Sequence, residues 1–249
     1  MMKQILTPLK VAEELAIIVP VQNEAGNILP LARELRELGA VAGIDYTLVF
    51  VDDASTDCTW QEIHKAHLED ARVRGLRHSV NAGQSAALWT GFKSVKSGLL
   101  ATMDGDRQND PADLLALLKA LDKADFVCGF RAQRSDNWVR RASSKVARVA
   151  RSAMLGSDFK DTGCAMRVFR KECLQAVFPF NGLHRFMPIL VKNGGYTTLE
   201  IPVNHRPRVS GVSKYGIWNR VWRGIFDLFA MAWYIRRQIP PSAPRDTIP

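Results

Sequence analysis

LLATMDGDRQNDP, residues 99–111, sets an apolar run directly against three aspartates, Asp104, Asp106 and Asp110. Leu99 to Met103 has the length and composition of a buried strand. The Asp-Pro that follows is a helix-start signal, with Asp110 as N-cap and Pro111 at the first helical position. The acidic cluster is therefore expected on a strand-to-helix turn. In an open α/β sheet such turns lie at the carboxyl ends of the strands, where ligands bind.

The same rhythm extends outward on both sides. Leu15 to Val19 reads as a strand and is followed, after PVQNEAG, by a helix near Ile28 to Glu37; Tyr46 to Val51 is a strand and Thr59 to His67 a helix. Arg74 to Arg77 is a short strand before a Gln84 to Val95 helix, and a Leu114 to Leu121 helix precedes an Asp125 to Cys128 strand. Strands separated by helices predict an α/β fold with a mainly parallel central sheet covered on both faces. There is no internal repeat, and no low-complexity linker before the Pro-rich tail from Pro240.

Composition narrows the function classes. A 249-residue chain with 47% hydrophobic and 24% charged residues is an ordinary globular sequence rather than a disordered one. The cysteines Cys58, Cys128, Cys164 and Cys173 include no C-x-x-C pair, which argues against zinc; with no signal-peptide pattern, a reduced, cytosol-facing protein is expected. No uncharged run approaches the roughly 18 residues of a membrane-spanning helix. Of a formal net charge of +9, residues 131–151 and 204–237 each carry seven Lys/Arg against one acid. Two basic segments beside a slightly acidic core suit a phosphate-bearing or membrane-surface partner, or else form solvated helix faces. Nucleic acid is not expected, because no recognition motif accompanies the charge.

Three more turns share the character of the first. VPVQNEAG (19–26), FVDDASTD (50–57) and RHSVNAGQSAAL (77–88) each follow a strand with polar groups, among them Gln22, Asn23, Glu24, Asp52, Asp53, Asn81 and Gly83. Singly, such residues are most often helix caps, and Ser55 and Asp57 read that way. Together they would converge on one crevice. Asp104 and Asp106 flank a single glycine, so both carboxylates can reach a hard cation such as Mg²⁺ or Mn²⁺. A cation there would neutralise a diphosphate leaving group; the alternative for Asp-Gly-Asp alone is a plain surface turn.

The ordered set PVQNE, VDDASTD, RHSVNAGQSAAL, DGDRQNDP, DTGCAMRVF and HRPRVSGVSKYG resembles the polyprenol-phosphate sugar synthases of glycosyltransferase family 2, the group of dolichol-phosphate mannose synthase, over about residues 14–216. The resemblance implies a GT-A nucleotide-sugar-binding domain, a GDP- or UDP-sugar donor, Mg²⁺ or Mn²⁺, a polyprenyl-phosphate acceptor and inversion at the anomeric carbon. On it, Pro20, Glu24, Asn81 and Gly83 belong to the donor site, with Asp52 or Asp53 accepting from base or ribose. Asp104, Asp106 and Gln108 would surround the cation. Arg131 and Arg134 would face donor and acceptor phosphates, a task suited to the guanidinium fork. Arg206, Arg208, Ser213 and Lys214 would close over the diphosphate or the lipid phosphate. Asp161 has two readings: a general base toward a hydroxyl acceptor, or an orienting group if the acceptor is a phosphate, which needs no base because its second pKa is about 6.

The expected organisation is an N-terminal arm (1–13), the GT-A domain (14–216), an amphipathic membrane-interface helix (217–237) and a disordered tail (238–249). The helix carries Trp218, Trp222, Ile225, Phe226, Phe229, Met231 and Trp233 among Arg220, Arg223, Arg236 and Arg237, a mixture suited to lying in the interface. A segment from Asn137 to Met154, with Trp138, Val139, Val146 and Val149, is a second candidate contact; core packing is the alternative for both. With these segments, the resemblance implies a peripheral enzyme on the cytoplasmic face of the inner membrane, with a membrane-protein partner or a homo-oligomer as anchor, serving cell-envelope glycan or lipid A modification. Two other functions stay open: a GT-A transferase with a saccharide acceptor, and an inactive nucleotide- or lipid-binding membrane module.

Overall fold

A computed structural model describes residues 14–132, 149, 151–207 and 217–237. The chain divides into two compact units, Met1–Asn137 with Phe159–Ser213, and Trp138–Asp158 with Lys214–Pro249. The sequence-based division into one continuous domain over 14–216 and a separate helix thus stands beside one in which an internal segment groups with the C-terminal region.

The larger unit is built on a seven-stranded sheet. Its strands are β1 (Leu15–Val21), β2 (Tyr46–Asp52), β3 (Val73–Arg77), β4 (Leu99–Thr102), β5 (Phe126–Arg131), β6 (Arg167–Arg170) and β7 (Thr198–Val203). Their order is β3-β2-β1-β4-β6-β5-β7. The β1–β2, β1–β4, β2–β3 and β5–β7 pairs are parallel, whereas β6 runs antiparallel to both β4 and β5. The expected mainly parallel α/β sheet is present, with one reversed strand.

Both faces of the sheet are covered, which is why LAIIVPV and YTLVFVD read as continuous apolar runs rather than alternating ones. Helices α1 (Ala25–Ala42), α2 (Thr59–Glu69) and α4 (Asp113–Ala120) pack on one face; Ile28, Leu31, Leu35, Ile63, Leu114 and Leu117 form a core there with Ile17, Val19, Leu48, Phe50 and Val168. On the other face α3 (Gln84–Ser94) comes so close to β1 that a Cβ on Gly91 would collide with the Ile18 side chain. Phe169 packs there between Phe126, stacked at 5.1 Å, and Phe92, edge-on at 5.7 Å. Helix α6 (Leu183–Asn193) belongs to this unit, preceded by a 3₁₀ turn at Lys171–Ala176.

One boundary differs from the sequence reading. Helix α4 starts at Asp113 with Ala112 as its N-cap, not at Pro111. Residues 110–113 form a turn first, in which Asp113 N donates to Asp110 O and Ala112 N to Asp110 Oδ1. Asp110 therefore caps a turn, while Asp113 Oδ2 and Oδ1 accept from Asn204 N and Nδ2.

In the smaller unit, residues 151–155 are helical (α5) and Ile217–Arg236 forms α7. Phe226, Phe229 and Trp233 are 75%, 61% and 66% exposed and share a face by their spacing, while Met231 and Ala232 are buried. The side chains of Trp218, Arg220, Trp222, Arg223 and Ile225 lie outside the described residues, as do Trp138, Val139 and Val146; Val149 is exposed. Among the described residues no helix is long and apolar enough to cross a membrane.

The sandwiched position of Phe169 makes it the larger unit's most sensitive aromatic. Phe169→Ala is expected to cost about 3–5 kcal/mol, read as a lower urea midpoint with an unchanged slope.

Candidate functional site

Strand direction determines what can meet. The parallel strands β1, β2, β3 and β4 all deliver their C-terminal ends to one edge of the sheet, and β5 and β7 share their direction. Because β6 is reversed, its N-terminal end reaches the same edge, with Arg167 beside Thr102 and Cys128. The turns after β1, β2, β3, β4, β5 and β7, together with the loop before β6, therefore border one crevice. Pro20, Glu24, Asp52, Asp53, Asn81, Gly83, Asp104, Asp106, Gln108, Arg131, Asp161 and Arg206 are all placed on that edge. Arg134, Arg208, Ser213 and Lys214 lie outside the described residues.

The Asp-Gly-Asp turn is held closely. A Cβ on Gly105 would lie 2.5 Å from Val21 Cγ1 and 3.4 Å from Pro20 O, so only glycine lets the turn sit on the end of β1. Asp104 N donates to Asn109 Oδ1 (3.0 Å), Gln108 N to Asp106 Oδ1 (3.1 Å), and Gln84 Nε2 to Asp104 Oδ1 (2.9 Å). Burial, then the neighbouring charge of Asp106, push the Asp104 pKa up to about 6 against the pull of Arg167 and Arg131. Two carboxylates that resist joint ionisation form a donor set a divalent cation would neutralise. Among the described residues no three His, Cys, Asp or Glu side chains converge on a metal position. A cation here would take two carboxylates, with phosphate and water oxygens completing its shell, the usual arrangement for Mg²⁺.

Opposite this turn, Asp161 and Arg131 form a two-pronged ion pair, Nε to Oδ2 at 2.7 Å and Nη2 to Oδ1 at 3.0 Å. Burial opposes the arginine's charge, but Asp161 holds its pKa above the usual value. The loop is fixed from behind by Glu200 on β7, whose carboxylate accepts from Lys160 N and Asp161 N. Beneath lies Arg167, 1% exposed. Its Nη2 donates to Thr162 O (3.1 Å) and His184 O (2.6 Å), and its Nε has no partner. Burial lowers its pKa.

At the ends of β2 and β3 the paired aspartates face inward. Asp52 is fully buried, accepting from Ser55 N and lying 3.2 Å from Arg77 Nε. Asp53 is 3% exposed and accepts from Ala82 N, Gly83 N and His78, which ties the NAG turn to β2. Asn23 adopts a left-handed φ of 53° and is fastened by Ser55 Oγ and Thr56 N, while Glu24 N donates to Thr59 Oγ1. Asp57 Oδ1 accepts from Thr59 N and Ser55 Oγ from Asn23 N, but the N-cap of α2 is Cys58, so neither is the helix cap its sequence suggests; both tie turns together instead. Arg77, His78, Ser79, Ala54 and Ser55 line an open crevice beside these turns.

Arg206 sits on the chain leaving β7 and pairs with Glu34 and Asp110. Sequence reading passed over Glu34, Gln84, Arg107, Asn109, Arg167, His184 and Glu200. Arg167 alone carried a local signal, a charged residue inside the apolar MRVF stretch.

Residues 16–178 match glycosyl transferase family 2, and the chain belongs to that family. It is 33% identical to a dodecaprenyl-phosphate galacturonate synthase of Rhizobium johnstonii over 92% of this chain and 69% of that protein. It is 31% identical to an undecaprenyl-phosphate 4-deoxy-4-formamido-L-arabinose transferase of Edwardsiella ictaluri over 85% of this chain and 66% of that protein. The chain thus spans about two thirds of the length of these curated relatives. The fold is GT-A, shared with a mannosyltransferase of Pyrobaculum calidifontis solved with GDP-Man and Mn²⁺ (TM-score 0.66, 20% identity, 92% of this chain and 66% of that one). It is shared also with glucosyl-3-phosphoglycerate synthase of Mycobacterium tuberculosis solved with Mn²⁺, UDP and phosphoglyceric acid (0.68, 17%, 94% and 81%).

The raised pKa of Asp104 has a consequence for stability. Its folded value exceeds the ordinary 3.8, so the ionised group destabilises the ligand-free protein above about pH 6. Between the two values the proton relieves that cost, and the penalty fades as pH falls. Asp104→Asn should raise the melting temperature at pH 7.5 by about 2–4 °C, the shift for roughly 1 kcal/mol in a chain this size, and the gain should fall away between about pH 6 and about pH 4. Calorimetry at both pH values in chelator reads it.

Proposed function

We propose that this protein moves a sugar from a nucleotide-sugar to a membrane polyprenyl phosphate, with inversion, as a peripheral enzyme of the cytoplasmic membrane face. The observation that carries the acceptor class is the Arg131–Asp161 pair. A hydroxyl acceptor requires a carboxylate free to take its proton. Asp161 instead gives both oxygens to a guanidinium, so the site offers an oriented cation, which suits an acceptor that is itself an anion. The curated relatives, whose names specify dodecaprenyl- and undecaprenyl-phosphate chemistry, support the same reading.

The reaction follows from charge. A lipid phosphate is largely ionised at neutral pH because its second pKa is about 6. Its oxygen attacks the anomeric carbon as the bond to the nucleoside diphosphate breaks, and the electron pair leaves with the diphosphate; no covalent enzyme intermediate forms. Asp104 and Asp106, with Gln108 beside them, would hold Mg²⁺ or Mn²⁺, which supplies Lewis-acid neutralisation of the leaving diphosphate. Pro20, Glu24, Asn81 and Gly83 border the donor, and Asp52 and Asp53 shape it by fixing the turns. Arg131 directs the acceptor phosphate, with Arg134, Arg208, Ser213 and Lys214 as further phosphate contacts. Rate comes from positioning and preorganised charge. The exposed aromatic face of α7, ending at Arg236 and Arg237, suits the membrane interface and brings the enzyme to its lipid.

Transfer of radiolabel from a panel of GDP- and UDP-sugars into undecaprenyl phosphate, with Mn²⁺ or Mg²⁺, tests the reading and names the donor. Lipid label is expected to require metal and to fall at least about 10²-fold in Asp106→Ala. Label reaching a saccharide instead would establish the saccharide-acceptor transferase, and nucleotide binding without turnover the inactive module.

Asp161→Asn separates orientation from proton abstraction. An orienting carboxylate predicts a higher KM for undecaprenyl phosphate with the pH profile of kcat unchanged. A general base predicts loss of kcat and of its basic limb.

A further inference from the structure

Four charged side chains beside the crevice make a network that the reaction above does not use. Glu34, on α1, accepts from Arg107 Nε (3.1 Å) and Nη2 (2.5 Å) at Oε1, and from Arg206 Nη1 (2.6 Å) at Oε2. Arg206 Nη2 donates to Asp110 Oδ1 at 2.8 Å. All four are substantially shielded, with side-chain exposures of 23–38%. Burial penalises the charge of Glu34, yet the bonds from Arg107 and Arg206 outweigh it and hold its pKa below the usual range.

The network joins three distant pieces of chain: α1, the Asp-Gly-Asp turn, and the segment leaving β7. Backbone contacts run alongside it. Arg206 N donates to Gln108 O (2.8 Å), Asn109 pairs with His205 in an antiparallel bridge, and Asn204 bonds Asp113. Arg107 holds a left-handed φ of 60°, which a residue with a Cβ adopts at a cost and keeps only when its surroundings impose it. The bonds to Glu34 supply that constraint.

We infer that Glu34 is a positioning residue: through Arg107 it sets the Asp-Gly-Asp turn, and through Arg206 it sets the segment leaving β7, so that the two acidic side chains of the turn and residues 205–207 share one register. Resting on the transfer reading above, this assigns Arg206 to the scaffold. Its two terminal nitrogens tie Glu34 on α1 to Asp110 before α4, joining two pieces of chain, whereas the Arg131 fork is turned by one carboxylate alone.

The test is a double-mutant cycle on the full chain. Glu34→Gln, Arg206→Lys and the double variant are compared in the lipid-labelling assay, with affinity for Mn²⁺–UDP and Mn²⁺–GDP measured by calorimetry. Arg33→Ala, on the same helix as Glu34, removes the exposed ion pair from α1 to Glu69 on α2 and is the control. Melting curves locate a temperature at which every variant is folded, and Arg206→Ala against Arg206→Lys measures how far retained charge rescues.

Each single change is expected to lower kcat/KM about tenfold, and the double variant should fall no further, because one shared contact is lost. Arg33→Ala should match the wild type. Lower melting temperatures with wild-type kcat/KM and wild-type nucleotide affinity would overturn the inference, leaving the network purely structural, and so would single effects that multiply. If the wild type labels no lipid from any donor, the transfer reading fails. The cycle is then read on nucleotide affinity alone, where coupling upholds the role of Glu34 and its absence refutes it.

Discussion

Two carboxylates one residue apart, at the mouth of a buried strand, repel each other and resist losing water. That tension between Asp104 and Asp106 organises the surroundings. Gly105 is required because the turn sits on the end of β1, where a Cβ would collide with Val21. Arg167 below and Arg131 opposite soften the field on Asp104, yet burial and the neighbouring Asp106 still hold its pKa up. Keeping a raised carboxylate at the mouth of a strand costs the fold stability, the kind of cost that sites poised for a charged partner carry.

Around that centre the charges sort by the work they do. Asp52, Asp53 and Glu200 spend their oxygens on backbone N–H groups and hold turns in place. Asp161 faces a guanidinium and sets its direction. Carboxylates of one chemical type thus serve as staples, orienters and ion ligands, and burial and partner separate the roles more than residue identity does.

Much of this was legible in the sequence because it is local. Apolar runs ending in polar turns gave β1 to β4 nearly to their ends, and D-G-D between a strand and an Asp-Pro marked the acidic centre. The α4 boundary moved by two residues because Asp110 used its carbonyl and carboxylate to close a turn first, a choice Asp-Pro alone does not reveal. What stayed hidden is long-range. Glu34 and Arg206 are 172 residues apart, and Glu200 lies 39 beyond the Asp161 amide it holds. Glu34 sits in an ordinary amphipathic helix, where nothing in its neighbours distinguishes it from a solvated acid. The reversed β6 was equally silent, since a four-residue strand does not encode its direction.

The reversal of β6 has an outcome of another kind. The chain departs from the active edge at Arg131 and returns to it at Asp161, and these two residues clasp each other. The intervening stretch is therefore an excursion with a locked neck. For a flexible excursion, doubling the length adds only about 0.6 kcal/mol of closure entropy. A single ion pair thus fastens both ends of the stretch, and Glu200 holds the returning end a second time, so the departing end depends on Asp161 more than the returning end depends on Arg131.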